Sequence, residues 1–374
     1  MTAPTVTRHH LGNTVSPKLD GRLTRVLERY VERGGRRRAM VHMVDGAGAR
    51  RWSAAVADVP LDPTASFFIA SVTKRFVITL VLQACERGEI ELAAPIDRYL
   101  PAEDLAGLHV LRGVDRTGEI TVHHLAGHTS GLPDFFDKRT DGTDLEKDLV
   151  AGRDSSWTYR ELLAVTRDRQ HPHFPPQDLT ASRPKARYSD TGFQLLIRIL
   201  ETVTGRTFAQ LLAERIAEPL DLAGTYLPRA ATASDPAPTD IYGPAGRVDL
   251  PGMVASSNDL VSTTDDLLVF ERALVAGRLF RGAETVGLLT DRTHRLRNIP
   301  ILTYGLGTMV FTAPPVMSGG ARPLRLIGHS GVTGSWLFSC PARDVHLAGT
   351  VDRVGDSSAP FALMLKLLQV WGSH

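Results

Sequence analysis

The run Phe76-Val77-Ile78-Thr79-Leu80-Val81-Leu82-Gln83-Ala84-Cys85 is apolar on almost every side when wound as a helix. A helix apolar all round must be buried, so this stretch predicts a central helix around which the rest of the chain packs. Gly88 is placed to end it as a C′ residue. Ser71 and Lys74 stand at its start. Residues three apart share a helix face, so the hydroxyl and the amine can meet. A serine becomes a strong nucleophile when a base takes its proton, and an amine can do so if it is neutral part of the time. The dipole at the start of the helix favours the alkoxide that develops.

Ser-x-x-Lys alone is a loose pattern, and a second copy, Ser182-Arg183-Pro184-Lys185, reads as loop because of Pro184 and its polar setting. Lys74 is one of few lysines, the others being Lys18, Lys138, Lys147, Lys185 and Lys366. A lysine at the head of a buried helix needs a partner, a function, or a route by which its stem carries the charge to water.

Composition narrows the class. Hydrophobic residues at 43% and charged residues at 22% describe an ordinary globular protein, and a net charge of +2 gives no case for nucleic acid. No apolar run approaches the ~18 residues of a membrane span. The N-terminus lacks the basic-then-apolar pattern of a signal peptide, so the expected location is cytoplasmic. Cys85 and Cys340 are the two cysteines, too few for a disulfide framework.

Along the chain, residues 1–20 read as a mobile arm. A helix is expected from Leu23 to Gly34, then strands over Ala39–Val44 and Trp52–Ala57 joined by a turn at Asp45–Gly48. The middle of the chain is mostly helical, with a charged segment at 134–156 read as an exposed insertion or lid. A helix from Phe193 to Val203 is closed by Gly205, and others run over Phe208–Ile216 and Asp259–Leu274. The last quarter turns to strands, at Tyr304–Phe311, Leu324–Gly328, Ser335–Ser339 and Val345–Val351, before a closing helix from Phe361 to Trp371. Strands at both ends with helices between predict an α+β fold: one antiparallel sheet flanked by the terminal helices, with a helical subdomain inserted. The expected division is a sheet subdomain of about residues 21–71 plus 245–374 and a helical one of about 72–244.

Three stretches carry the chemistry: Ser71-x-x-Lys74, Tyr188-Ser189-Asp190 at a helix start, and Gly328-His329-Ser330-Gly331 beside a strand. Together with Ile120–Pro133, which contains His128-Thr129-Ser130-Gly131, this ordered set resembles the serine β-lactamase and penicillin-binding-protein family, in its class C β-lactamase and esterase branch. The resemblance runs over roughly residues 20 to 372. It implies Ser71 as a nucleophile forming an acyl-enzyme, Lys74 as its base, and Tyr188 as the group that shares protons with Lys74 and passes one to the leaving group or to the water that ends the cycle. A phenol suits that role if a nearby ammonium lowers its pKa. The backbone N–H groups of Ser71 and Val332 would form the oxyanion hole. Asp190, His329, Ser330 and Gly331 would face the substrate, and no metal or other cofactor is called for.

Two departures matter. Asp190 stands where Asn is common, and His329 where Lys is common; both make the site less welcoming to an anion. The expected partner is therefore a small-molecule ester, lactone or amide, neutral rather than anionic. An acyltransferase of secondary metabolism, a D-aminoacyl peptidase using Asp190 to hold an ammonium, a β-lactamase and a non-catalytic binding protein stay open beside it. The histidines at 123–124 and 171–173 lack matching acidic or cysteine ligands for a metal, and His128-Thr129-Ser130-Gly131 reads as a structured loop without a catalytic role.

Overall fold

The computed structural model describes residues 5–8, 14–34, 37–318, 322–355 and 359–372. A nine-stranded antiparallel sheet dominates, and both ends of the chain build it. From one edge to the other its strands are Thr5–Arg8, Arg51–Ala57, Arg38–Asp45, Val345–Thr350, Ser335–Cys340, Leu324–Ser330, Met309–Ala313, Leu302–Tyr304 and His294–Arg295. The N-terminal hairpin joins the C-terminal strands through Arg38–Asp45, where Val41 lies opposite Gly349. Val, Leu, Met and Trp at alternating positions serve both faces of this sheet.

Each face has its own core. On one, Trp52, Trp336, Phe338 and Leu347 pack with Leu23 and Leu27 of the helix Pro17–Gly34 and with Leu367 and Trp371 of the helix Ala359–Trp371. On the other, Met40 and Leu337 meet the helix Thr73–Glu86, whose residues from Thr73 to Ala84 are all buried. The all-round apolar character of that helix has a direct cause: the sheet lies on one side, and the helices Asp190–Thr204 and Thr264–Val275 lie on others. Phe76 stacks on Phe270 at 3.8 Å between ring centroids. The one strong cation of the next position, Arg75, is 1% exposed and bidentate to Glu271, with Thr308 taking a further bond at 2.6 Å. Pairing is what makes that burial tolerable.

Several boundaries differ from the sequence reading. Thr5–Arg8, inside the stretch expected as a mobile arm, pairs with Ala54–Ala57, and Pro17 already begins a helix; residues 1–4 and 9–13 lie outside the described residues. Tyr304–Phe311 is not one strand but two, Leu302–Tyr304 and Met309–Ala313, because the chain turns at Gly305–Gly307. Asp259–Ser262 is not helical. Val261–Ser262 pairs with Phe67–Phe68, and the helix starts at Thr264 behind a Thr263 cap. The 134–156 segment is no free-standing insertion: it carries a helix at Leu145–Val150, and Phe135, Leu145 and Leu149 are buried in the core. Among the described residues, no helix is long and apolar enough to cross a membrane.

Candidate active site

The chain arrives at Ser71 from the short strand Phe67–Phe68 through Ala70, a non-glycine residue at φ 45°. Such a backbone costs on the order of 1 kcal/mol and must be held by its surroundings. The holding groups are visible. Ser335 Oγ donates to Ile69 O at 2.7 Å, Thr333 Oγ1 donates to Phe68 O at 3.1 Å, and Ile69 N–H donates to Leu260 O at 2.9 Å. Ser71 then lies in a 3₁₀ turn, Ala70–Val72, that runs into the α-helix Thr73–Glu86. The expected α-helical first turn is therefore tighter than an α-turn, and Lys74 still falls on the face of Ser71.

Lys74 Nζ is 3.0 Å from Ser71 Oγ, and the same nitrogen pairs with Asp190 Oδ1. The Tyr188 hydroxyl donates to Ser71 Oγ at 2.9 Å. The three residues that the sequence singled out thus meet at one oxygen, across 117 residues of chain. Lys74 is 3% exposed. Burial alone would push its ammonium down, but the Asp190 and Asp259 carboxylates outweigh that and hold it above its ordinary value. Tyr188 departs from expectation. Burial, reinforced by Asp190, pushes its phenol well above 10, so the Lys74 ammonium 5.1 Å from its ring does not lower it. In the resting site Lys74 is an ammonium and Tyr188 a neutral phenol.

The strand Leu324–Ser330 brings the third motif alongside. Gly331 N–H donates to Ser335 O at 2.8 Å, closing the turn that the Ser335 and Thr333 hydroxyls tie to residues 68–69. A Cβ on Gly331 would lie 2.7 Å from Ile69 O and 2.9 Å from Ala70 Cβ. Glycine is needed here for the approach of this turn to the Ser71 turn, rather than for the approach of a substrate alone. Ser330, Gly331 and Val332 line the cleft with Ser71. His329 does not. It is fully buried, bonded to the Tyr304 hydroxyl at 3.0 Å and to Ser330 O at 2.8 Å, and burial and Lys74 push its imidazole well below 6.5. The strand alternates its faces, so the residue next to Ser330 points into the core.

The cleft holds about 350 Å³. Phe68, Phe136, Met253 and Ile299 give it apolar walls, and Asp134, Asp137, Glu146, Asp190 and Asp259 bring carboxyl groups to it. No arginine, histidine or lysine lines it among the described residues. Burial, with Asp190 and Asp137 nearby, pushes Asp134 well above the carboxylate range. Burial pushes Asp259 up to about 7 despite Lys74. Burial and the neighbouring acids raise Glu146 as well, whereas Asp137 is paired with Arg187 at 2.9 Å. Sequence reasoning missed Asp134, Glu146, Asp259 and Asn298. The first two sat in the segment taken for an exposed lid, and Asp259 was absorbed into a helix that begins five residues later. No spacing rule links them to Ser71, so the sequence carried no signal for them. Among the described residues no group of three His, Cys, Asp or Glu side chains could hold a metal ion.

Residues 23–370 match the family Beta-lactamase. The structure of a D-stereospecific amidohydrolase from Streptomyces sp. superposes with a TM-score of 0.72 over 91% of this chain and 97% of that one, at 27% identity. Penicillin-binding protein 4* of Bacillus subtilis (strain 168) is 24% identical over 289 residues, which is 73% of this chain but 56% of that protein, so the chain spans little more than half of that relative. Monacolin J acid methylbutanoyltransferase of Aspergillus terreus is 40% identical over a shorter stretch of 86 residues, 21% of this chain and 20% of that enzyme.

Proposed function

The chain belongs to the beta-lactamase family, and from that premise we propose that it is a serine hydrolase that opens an amide or ester bond through an acyl-enzyme on Ser71. The observation that carries the reading is the convergence of Lys74 Nζ and the Tyr188 hydroxyl on Ser71 Oγ at 3.0 and 2.9 Å. In this reaction Ser71 Oγ bonds to the acyl carbon while its proton passes to Lys74. Lys74 is charged at rest, so it must first be relieved of a proton, and the Asp190 carboxylate paired with Nζ is placed to hold it. The N–H groups of Ser71 and Val332 receive the oxyanion. The Tyr188 hydroxyl gives its proton to the departing nitrogen or oxygen as that bond breaks, and Lys74 restores it. Water then adds to the acyl carbon, losing a proton to the same Tyr188–Lys74 pair, and Ser71 leaves with its hydrogen restored.

The cleft favours an acyl group that carries an amine over one that carries a carboxylate. Asp190 and Asp137 are paired with Lys74 and Arg187 and burial favours the proton on Asp134, so Glu146 is the carboxyl group left to attract an ammonium, and the nearest cation, Lys74, is already engaged with Asp190. The likeness to a D-stereospecific amidohydrolase supports hydrolysis of an amide bond. Transfer of the acyl group to an alcohol or amine in place of water is a second reading, favoured by the stretch shared with the Aspergillus acyltransferase.

The test is a turnover screen over neutral esters, D-aminoacyl amides and a chromogenic cephalosporin, with Ser71→Ala as control. A fluorophosphonate should add one adduct, mapped by peptide sequencing to Ser71. Labelling at Ser330 or Ser130, or unchanged turnover by Ser71→Ala, would overturn the assignment.

A further inference from the structure

The segment that presents Tyr188 is irregular, yet four consecutive backbone N–H groups in it are all captured. Arg187 N–H donates to His128 O at 2.9 Å, Tyr188 N–H to Asn298 Oδ1 at 3.0 Å, Ser189 N–H to His128 Nδ1 at 3.3 Å, and Asp190 N–H to Asp134 Oδ2 at 3.0 Å. Asn298 Nδ2 also returns a bond to Tyr188 O at 3.3 Å. His128 therefore grips the residues on both sides of Tyr188. Its ring supports the phenol from below, at 4.5 Å between centroids, and touches Tyr304 at 4.3 Å.

His128 is itself held in an uncommon state. It is 2% exposed and sits at φ 57°, a left-handed conformation that histidine tolerates better than most residues. Nδ1 can accept from Ser189 N–H only without a proton of its own, so the ring is neutral with its proton on Nε2. Burial, with Lys74 nearby, favours that neutral form. Nε2 is buried and has no hydrogen-bond partner among the described residues, so the contacts of the ring run through Nδ1 and its faces.

We propose that His128 is a positioning residue for Tyr188: through its backbone oxygen and Nδ1 it fixes the residues on either side of the phenol, and so sets where the hydroxyl meets Ser71 Oγ. This rests on the reading that Tyr188 moves the proton. The cost of misplacing such a group by a fraction of an ångström falls on kcat rather than on substrate binding. The loop His128-Thr129-Ser130-Gly131 thus acquires a role in the reaction without touching the substrate.

Asparagine places Oδ1 where histidine places Nδ1 and accepts a positive φ, so His128→Asn keeps the grip and loses the ring face. His128→Ala keeps the backbone bond to Arg187 but loses both the side-chain acceptor for Ser189 N–H and the ring, and His128→Gln keeps bulk but carries its acceptor one bond too far. With p-nitrophenyl butyrate and rates normalised to fluorophosphonate-titrated sites, His128→Ala should lower kcat by roughly tenfold or more with KM within about threefold. His128→Asn should recover most of that loss. In a Tyr188→Phe background, His128→Ala should cost less than about threefold, since the residue it serves is already disabled. Should His128→Ala fail to fold, His128→Gln takes its place and should show the same loss. An Asn variant as slow as the Ala or Gln variant overturns the proposal, and so does a full further loss in the Tyr188→Phe background. A Tyr188→Phe enzyme with wild-type kcat would instead refute the role of Tyr188 itself. A slow Tyr188→Phe beside an unimpaired His128→Ala would refute only the positioning role.

Discussion

The Lys74 ammonium lies between Ser71 Oγ, at 3.0 Å, and the Asp190 carboxylate with which it is paired. The proposed base is therefore held in its charged form by the residue best placed to take its proton. Relatives with an asparagine at the second motif lack that carboxylate, so the proton proposed to leave Lys74 has an acceptor here that those sites do not offer.

The pH dependence follows with a definite sign. Asp190 raises the Lys74 pKa, so Asp190→Asn should lower it and move the rising limb of kcat/KM for a neutral ester toward acid. The plateau should also fall if Asp190 holds the proton released by Lys74. A pH–rate profile of both enzymes decides it, and an unmoved limb would dissociate Asp190 from the titration of Lys74.

Substrate charge should be read through Glu146. At an effective dielectric of about 20 and ~6 Å, a carboxylate facing one acidic group loses on the order of 3 kcal/mol, roughly a hundredfold. For matched esters differing in one substituent, kcat/KM should rank amine above neutral above carboxylate. Glu146→Gln should compress that series, and added salt should compress it further in the wild type. Equal rates across the wild-type series would remove the electrostatic argument.

Gly331 offers a test of the close turn. A methyl group there would meet Ile69 O and Ala70 Cβ inside 3 Å, and would meet Ser335 Oγ as well. Gly331→Ala should push Val332 N–H away from the Ser71 turn and lower kcat by ~10²–10³, the usual cost of one oxyanion donor. Circular dichroism should show an intact fold. A wild-type kcat would place the oxyanion site elsewhere.

Asp259 should reveal itself in stability. Its folded pKa of about 7 lies above the ordinary unfolded value near ~3.9, so its proton favours the folded state most fully below that unfolded value. The contribution is lost as the pH rises through 7, at about 1.4 kcal/mol per unit over that window. Asp259→Asn should therefore gain on the wild type, in urea midpoints, between pH 4 and 8. Parallel curves would mean that Asp259 ionises normally.

The helix Thr73–Glu86 was legible because burial on all sides leaves a continuous apolar run, and Ser71 and Lys74 were legible because one helical turn joins them. The sheet built from both chain ends was legible too, since β-branched and aromatic runs cluster there. The start of the Asp259–Leu274 region was misread because Leu260 and Val261 extend the apolar period of the helix backwards past its Thr263 cap, and pairing with Phe67–Phe68 makes them a short strand instead.

By itself, then, the sequence determined the elements whose evidence is local: the buried helix, the Ser71–Lys74 pair, and three motifs in order. Only the tertiary structure decided which side chains surround them. The Lys74–Asp190 pair, the Asn298 bridge to Tyr188 and the His128 grip on Arg187 and Ser189 join residues 59 to 116 positions apart. It also turned His329 into the core and brought Asp134, Glu146 and Asp259 to the cleft. The reason is physical: helix and strand periods are set by neighbours along the chain, whereas burial, ion pairing and the pKa of a side chain are set by whatever folding packs against it.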